Sequence, residues 1–123
     1  MVAPSLVIPD DMLRAANRCP ELRGRVKPDA HRVAIASGGV VVGFFTPHSC
    51  ALGWRVGPLW IAPEHRRKGL ARLAWDGYRD RVCVAFVADS NVASAALHRS
   101  CGFAPWRRGP SGWYWRRDAS AAV

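Results

Sequence analysis

Three cations followed by a glycine and a small residue stand at the centre of this sequence, in Arg66-Arg67-Lys68-Gly69-Leu70-Ala71. The run comes after an apolar stretch closed by Pro63 and leads into a helical pattern from Gly69. A helix start exposes unpaired N–H groups and carries about half a positive charge, so this junction suits a phosphate. Gly69 and Ala71 let a bulky anion approach, and the three cations match a pyrophosphate better than a single carboxylate. A solvated basic loop before an ordinary helix is the competing reading of the same residues. Neither GxxxxGK followed by Ser or Thr nor a GxGxxG after a strand occurs, which excludes a nucleoside triphosphatase loop and a Rossmann dinucleotide site. Near the C-terminus, Trp106, Arg107, Arg108, Trp113, Tyr114, Trp115, Arg116 and Arg117 interleave aromatic and basic side chains, a composition able to stack bases and track phosphates. A packed sheet edge with solvated arginines is the plainer reading of that stretch. Cys19, Cys50, Cys83 and Cys101 lie far apart without CxxC pairs, so they read as reduced thiols and no metal site is expected.

The basic run, in which Arg66 is followed by two residues, Gly69, one residue and Ala71, resembles the acetyl-CoA signature of the GCN5-related N-acetyltransferase (GNAT) superfamily. Trp60-Ile61-Ala62-Pro63-Glu64 looks like the family's fourth strand and its exit. A second stretch, Asn91-Val92-Ala93-Ser94-Ala95-Ala96-Leu97-His98-Arg99-Ser100-Cys101-Gly102-Phe103, is similar to the family's Asn, Ala-rich helix, Leu-Tyr and Gly-Phe pattern. The resemblance covers about residues 54–117. It implies an α+β chain with the acyl-CoA N-acyltransferase fold, a mixed and mainly antiparallel sheet flanked by helices. It also implies acetyl-CoA as co-substrate, with the pantetheine arm along Leu59-Trp60-Ile61, the phosphates at Arg66 through Ala71, and Asn91 orienting the arm or a water.

His98 departs from the family pattern, standing where many members carry the Tyr that protonates the departing thiolate. An imidazole with a pKa of about 6.5 can serve as acid or base near neutral pH, or can simply pack on its helix. For the base that takes the proton of an attacking amine, the sequence offers Asp89 at the end of a strand, His48 after the early hairpin, His31 and Glu64, without singling one out.

The elements that must position these groups are legible from pattern. Pro9-Asp10-Asp11 opens a helix that stops before Pro20. His31–Ser37 and Val40–Thr46 form a hairpin about Gly38-Gly39. Trp54–Ala62 reads as one further strand, and Leu70, Ala74 and Tyr78 share one face of the helix after Gly69. Val82–Ala88, apolar at nearly every position, reads as a central strand. A helix capped by Ser90 or Asn91 ends near Cys101 with Gly102 beyond it, and Phe103–Arg108 with Trp113–Arg117 make a terminal hairpin. About the last five residues are expected to fray.

With 123 residues the chain is expected to be a single domain over 1–123. Half of it is apolar, too much for a disordered tail. No run approaches the roughly 20 apolar residues of a membrane span, and the start lacks the basic and apolar regions of a signal peptide, so a cytoplasmic protein is expected. Sixteen Arg and two Lys give +9 and a pI near 10.7, a surface that attracts anions and makes nucleic acid a possible partner, although biased genome composition accounts for the arginines equally well. The reading is an N-acetyltransferase acting by direct attack of an amine within a ternary complex, as monomer or homodimer. The amine belongs to a small molecule, a peptide or a nucleic acid, and a polycationic aminoglycoside is disfavoured by charge. The alternative is a non-catalytic basic nucleic-acid-binding module on an acetyltransferase-like fold.

Overall fold

The computed structural model describes residues 1–20, 22–27 and 30–120, so most of the tail expected to fray lies outside the described residues. Along the chain run β1 (Val2–Ala3), α1 (Asp10–Arg18), β2 (Val33–Ser37), β3 (Val40–Phe45), β4 (His48–Cys50), β5 (Gly53–Arg55), β6 (Leu59–Ile61), α2 (Arg72–Asp76), β7 (Cys83–Ala88), α3 (Val92–Ser100), β8 (Ala104–Arg108) and β9 (Gly112–Arg117). A single 3-10 turn, Pro63–His65, precedes α2. The chain forms two compact units, Met1–Pro47 with Val56–Ala74, and His48–Arg55 with the chain from Trp75 onward.

The first unit holds a four-stranded antiparallel sheet in the order β1-β2-β3-β6. Gly38 and Gly39 both take positive φ, 59° and 81°, which supplies the tight turn that matches the twist of β2 and β3. Asp10 and Asp11 occupy the first turn of α1, where the helix dipole favours them, and the helix ends at Arg18, ahead of Pro20. Its Ala16 is fully buried with Phe44 and Trp60, and Met12, Leu13 and Ala15 pack on that cluster. Gly43 sits opposite Ile61 because a Cβ there would run into the Trp60 carbonyl oxygen, so glycine sets how closely β3 approaches β6.

The second unit is built on a five-stranded mixed sheet in the order β4-β5-β7-β9-β8, parallel only between β5 and β7. The apolar strand β7 lies in the middle of it, as its composition predicts. Asn91 caps α3 by accepting the Ser94 N–H at 3.1 Å, and Gly102 follows the helix at φ 92°.

Two expectations are corrected. Trp54–Ala62 is not one strand: Gly53–Arg55 belongs to the second sheet and Leu59–Ile61 to the first, with Val56, Gly57 and Pro58 outside both ladders. Pro58 has no N–H to give a ladder, so the apolar run cannot continue through it as a strand. The helix expected from Gly69 through Tyr78 reduces to the five residues of α2. Gly69 at φ 76° is left-handed and cannot begin a helix, and Gly77, just after Asp76, weakens its continuation.

Candidate functional site

The basic loop of the first unit carries a run of available backbone donors. Arg67 and Gly69 both stand in the left-handed region, at φ 63° and 76°. For Arg67 this is an uncommon conformation for a side-chain-bearing residue, and such strain collects at ligand sites. Among the described residues, the N–H groups of Arg67, Lys68, Gly69, Leu70 and Ala71 donate to no backbone carbonyl. Alternating positive φ lets successive amides of this kind turn toward one anion without a long helix behind them. The correction to α2 therefore moves the anion preference from a helix dipole to the loop itself. Arg66 is less mobile than its exposure suggests, since its Nε–H donates to the Ile61 carbonyl oxygen at 2.8 Å and ties the loop to β6. A Cβ placed on Gly69 would meet no atom within 4 Å, so the space above it is open.

Strand β6 pairs with β3 alone among the described residues. The Ala62 N–H donates to the Val42 carbonyl oxygen at 2.8 Å, and the register pairs Trp60 with Phe44. Hydrogen-bonded and non-bonded pairs alternate along an antiparallel ladder, so Trp60 turns its peptide groups toward β3 while Leu59 and Ile61 turn theirs to the open edge. Of these three candidates, then, Leu59 has both its peptide groups on that edge and Ile61 its N–H, the Ile61 carbonyl oxygen being taken by Arg66. Trp60 is buried against Phe44, with ring centroids 6.2 Å apart.

In the second unit His98 is only 8% exposed on α3. Its Nδ1–H donates to the Ser94 carbonyl oxygen at 2.7 Å, with the Ser94 hydroxyl oxygen 3.3 Å from the same nitrogen. A carbonyl can only accept, so in the neutral ring the proton sits on Nδ1 and Nε2 is bare. Burial holds the imidazole below its ordinary pKa, outweighing the opposing pull of the Ser94 bond. With the ring neutral and Nε2 bare, that nitrogen can take up a proton and then give it on.

Two aromatic rings fix the imidazole: Trp75 edge-on at 5.8 Å and Phe103 at 5.3 Å with an interplanar angle of 89°. Behind them lies Arg117, 6% exposed, a residue sequence reasoning assigned to a solvated or nucleic-acid-binding hairpin. Its guanidinium donates to the carbonyl oxygens of Trp75 at 2.8 Å and Cys101 at 3.1 Å, and lies 5.2 Å from the Phe103 ring centre. No carboxylate pairs with it among the described residues. One signal was available: Trp113, Trp115 and Arg117 alternate onto one face of β9, so an inward Trp115 implied an inward Arg117.

The other candidates are dispersed. Asp89, at the end of β7, is held by both terminal nitrogens of Arg108 at 2.6 Å, and this bidentate bond holds its carboxyl below the usual range, which makes it a weak base. Its partner Arg108 is pushed up by the same bond. Asn91 uses its carbonyl oxygen for the cap and has its amide nitrogen to offer. His48 is exposed at the start of β4, opposite Arg55, while His31 and Glu64 are exposed in loop and turn. The hairpin does not present one basic-aromatic stripe: Trp115 is buried, Arg108 and Arg116 have Asp89 and Asp118 as partners, and Trp106 lies under Arg107 and Arg116. None of the four cysteines forms a disulfide, and the described residues contain no metal-binding cluster and no helix long and apolar enough to cross a membrane.

Solved structures share this architecture at low identity. PaiA N-acetyltransferase from Thermoplasma acidophilum, in complex with coenzyme A, superposes with a TM-score of 0.63 and 14% identity over 71% of this chain and 59% of that one, so this chain spans well under two thirds of PaiA. PH1933 from Pyrococcus horikoshii OT3 gives 0.69 and 12% identity over 98% and 99% of the two chains. YncA from Salmonella typhimurium, with its cofactor acetyl-CoA, gives 0.57 and 20% over 75% and 66%. These likenesses show the acyl-CoA N-acyltransferase fold. No curated protein sequence gives a significant match. The acetyltransferase (GNAT) family model, however, matches residues 7–103, from the segment before α1 to the end of the His98 stack, and the chain belongs to that family.

Proposed function

We propose that this chain is an N-acetyltransferase of one domain, residues 1–123, that moves the acetyl group of acetyl-CoA to a primary amine by direct attack within a ternary complex. The observation that carries the reading is the run of five uncommitted amides at residues 67–71 beside Arg66, Arg67 and Lys68, which suits the pyrophosphate of coenzyme A. The Leu59 peptide groups and the Ile61 N–H, on an open strand edge, suit the amides of a pantetheine arm. Bound acetyl-CoA supplies the activated acetyl group, and the chain's residues hold it and manage the protons.

In this reading Nε2 of His98 takes the proton lost by the attacking amine nitrogen as the new C–N bond forms. It returns that proton to the thiolate as the C–S bond breaks. Transfer from an imidazolium to a thiolate of pKa about 8.5 is downhill. Peptide donors on the open edge of β6 stabilise the charge that develops on the thioester oxygen, an interaction typically worth about 3 kcal/mol per donor. Asp89 serves as the partner of Arg108 rather than as the base, and Asn91 orients the arm or a water through its amide nitrogen. Net positive charge favours an anionic or neutral amine carrier over a polycation. Four cysteines outside any disulfide fit a reducing, cytoplasmic setting for a monomer or homodimer.

The test is acetyl-CoA titration followed by thermal unfolding, then thiol release in a panel of free N-terminal peptides, lysine side chains and small amines. A rise in Tm together with amine-dependent thiol release is the expected result. No rise at about 1 mM acetyl-CoA in folded protein overturns the assignment.

A further inference from the structure

Arg117 is the buried cation that the proposed reaction leaves unexplained. No carboxylate pairs with it, and its Nε has no hydrogen-bond partner, among the described residues. Burying a guanidinium without a carboxylate is costly unless its N–H groups find other acceptors. Here the acceptors are the carbonyl of Trp75 near the end of α2, which also takes the Tyr78 N–H at 3.1 Å, and that of Cys101 just beyond α3, with the Cys83 sulfur 3.8 Å away. One side chain thus ties Trp75, a ring of His98's stack, to Cys101, the residue after its helix. Its planar face also covers Phe103, the third wall. Trp75 and Phe103 are the two rings that hold the imidazole edge-on. They also meet one another, with centroids 4.6 Å apart.

The geometry points to Arg117 as the positioning residue of His98: by fixing the Trp75 and Cys101 carbonyls and backing Phe103, it holds the imidazole in the orientation in which Nδ1–H meets Ser94 and Nε2 stays bare. The groups packed about the ring are Trp75 from α2, Ser94 from α3 and Phe103 from the segment before β8. Arg117 is the charge behind that wall, while Arg99 is drawn to the Trp115 ring, 5.3 Å away. Lysine lacks the planar fork whose two terminal nitrogens reach the two carbonyls while its face stacks on a ring. The inference builds on the proton-transfer role proposed for His98, but its principal readout does not depend on turnover.

The experiment compares wild type, Arg117→Lys, Phe103→Leu and His98→Phe as full-length protein without ligand. Imidazole nitrogen NMR reads the His98 tautomer, and calorimetry reads acetyl-CoA affinity. Wild type is expected to show a single tautomer protonated on Nδ1. In Arg117→Lys the expected result is a mixture of tautomers, acetyl-CoA affinity within about twofold, and thiol release with the best amine of the panel slowed about ten- to hundredfold. Phe103→Leu leaves both carbonyl bonds in place and tests the wall alone, so it decides the matter if Arg117→Lys does not fold. It should also mix the tautomers. An unchanged single tautomer in the folded Arg117→Lys protein, or in Phe103→Leu where the lysine variant does not fold, overturns the positioning role. Normal thiol release by His98→Phe instead removes the catalytic reading while leaving the tautomer result to stand.

Discussion

Two glycines of the first unit share a conformation and differ in where they stand. Gly69 is at φ 76° and Gly24 at φ 73°, and a Cβ on either would meet nothing within 4 Å. Substitution by alanine therefore costs each only the left-handed backbone, about 1–2 kcal/mol, partly offset by about 0.4–1 kcal/mol from the stiffer unfolded chain. A net loss of about 1 kcal/mol is expected for both. With an unfolding entropy of about 2.1 cal/mol/K per residue, a chain of 123 residues loses about 4 °C of Tm per kcal/mol. Gly69→Ala and Gly24→Ala should thus melt together, about 4 °C below wild type, in the absence of ligand. Acetyl-CoA at about a hundred times its Kd adds about 2.7 kcal/mol, a rise of about 10 °C. Gly24→Ala should keep that rise. In Gly69→Ala the methyl points into the space assigned to the phosphates, and a tenfold or greater loss of affinity, about 1.4 kcal/mol, cuts the rise to about half or less. Differential scanning fluorimetry of the three proteins with and without acetyl-CoA is sufficient. Equal ligand-induced rises in the two variants would refute the placement of the phosphates at Gly69. Unequal melting without ligand would refute the reasoning about open space.

Stability should also depend on pH through His98. Burial lowers its folded pKa below the unfolded value of about 6.5, so as pH falls the unfolded chain takes up the proton first. The contribution is complete above about pH 6.5 and lost as pH falls toward the folded value, and a Tm series from about pH 7.5 to 5.5 should show this slope in wild type and a smaller one in His98→Phe. Asp89→Asn should leave thiol release within about twofold of wild type, because the Arg108 bond already makes the carboxylate a weak base, and a loss of hundredfold or more would restore Asp89 as the base. Gly43→Ala drives a methyl into the Trp60 carbonyl, so β6 must shift from β3, and urea unfolding should register a loss of about 1–3 kcal/mol with weakened acetyl-CoA binding.

Local chemistry and short periods were readable from the sequence alone. Gly38-Gly39 between two apolar runs specified a turn, seven nearly uninterrupted apolar residues specified a strand covered on both sides, and Ser90-Asn91 specified a helix start, because each depends on residues within a few positions. The basic loop announced itself by composition, and the stretch about His98 by its resemblance to the family's second motif. Partnership was not readable. Nothing near Pro58 in sequence says that Trp54 joins one sheet and Trp60 another, since pairing is decided by strands far along the chain. Leu59 and Trp60 are adjacent and both apolar, yet the register with β3 turns one peptide to an open edge and the other inward. Asp89 read as a free acid until the hairpin brought Arg108 to it, 19 residues away. Arg117 read as surface because arginine usually is. Its burial follows from two helix ends and an aromatic wall that only the tertiary structure assembles, and these supply a cation with the acceptors that its own neighbours in sequence lack.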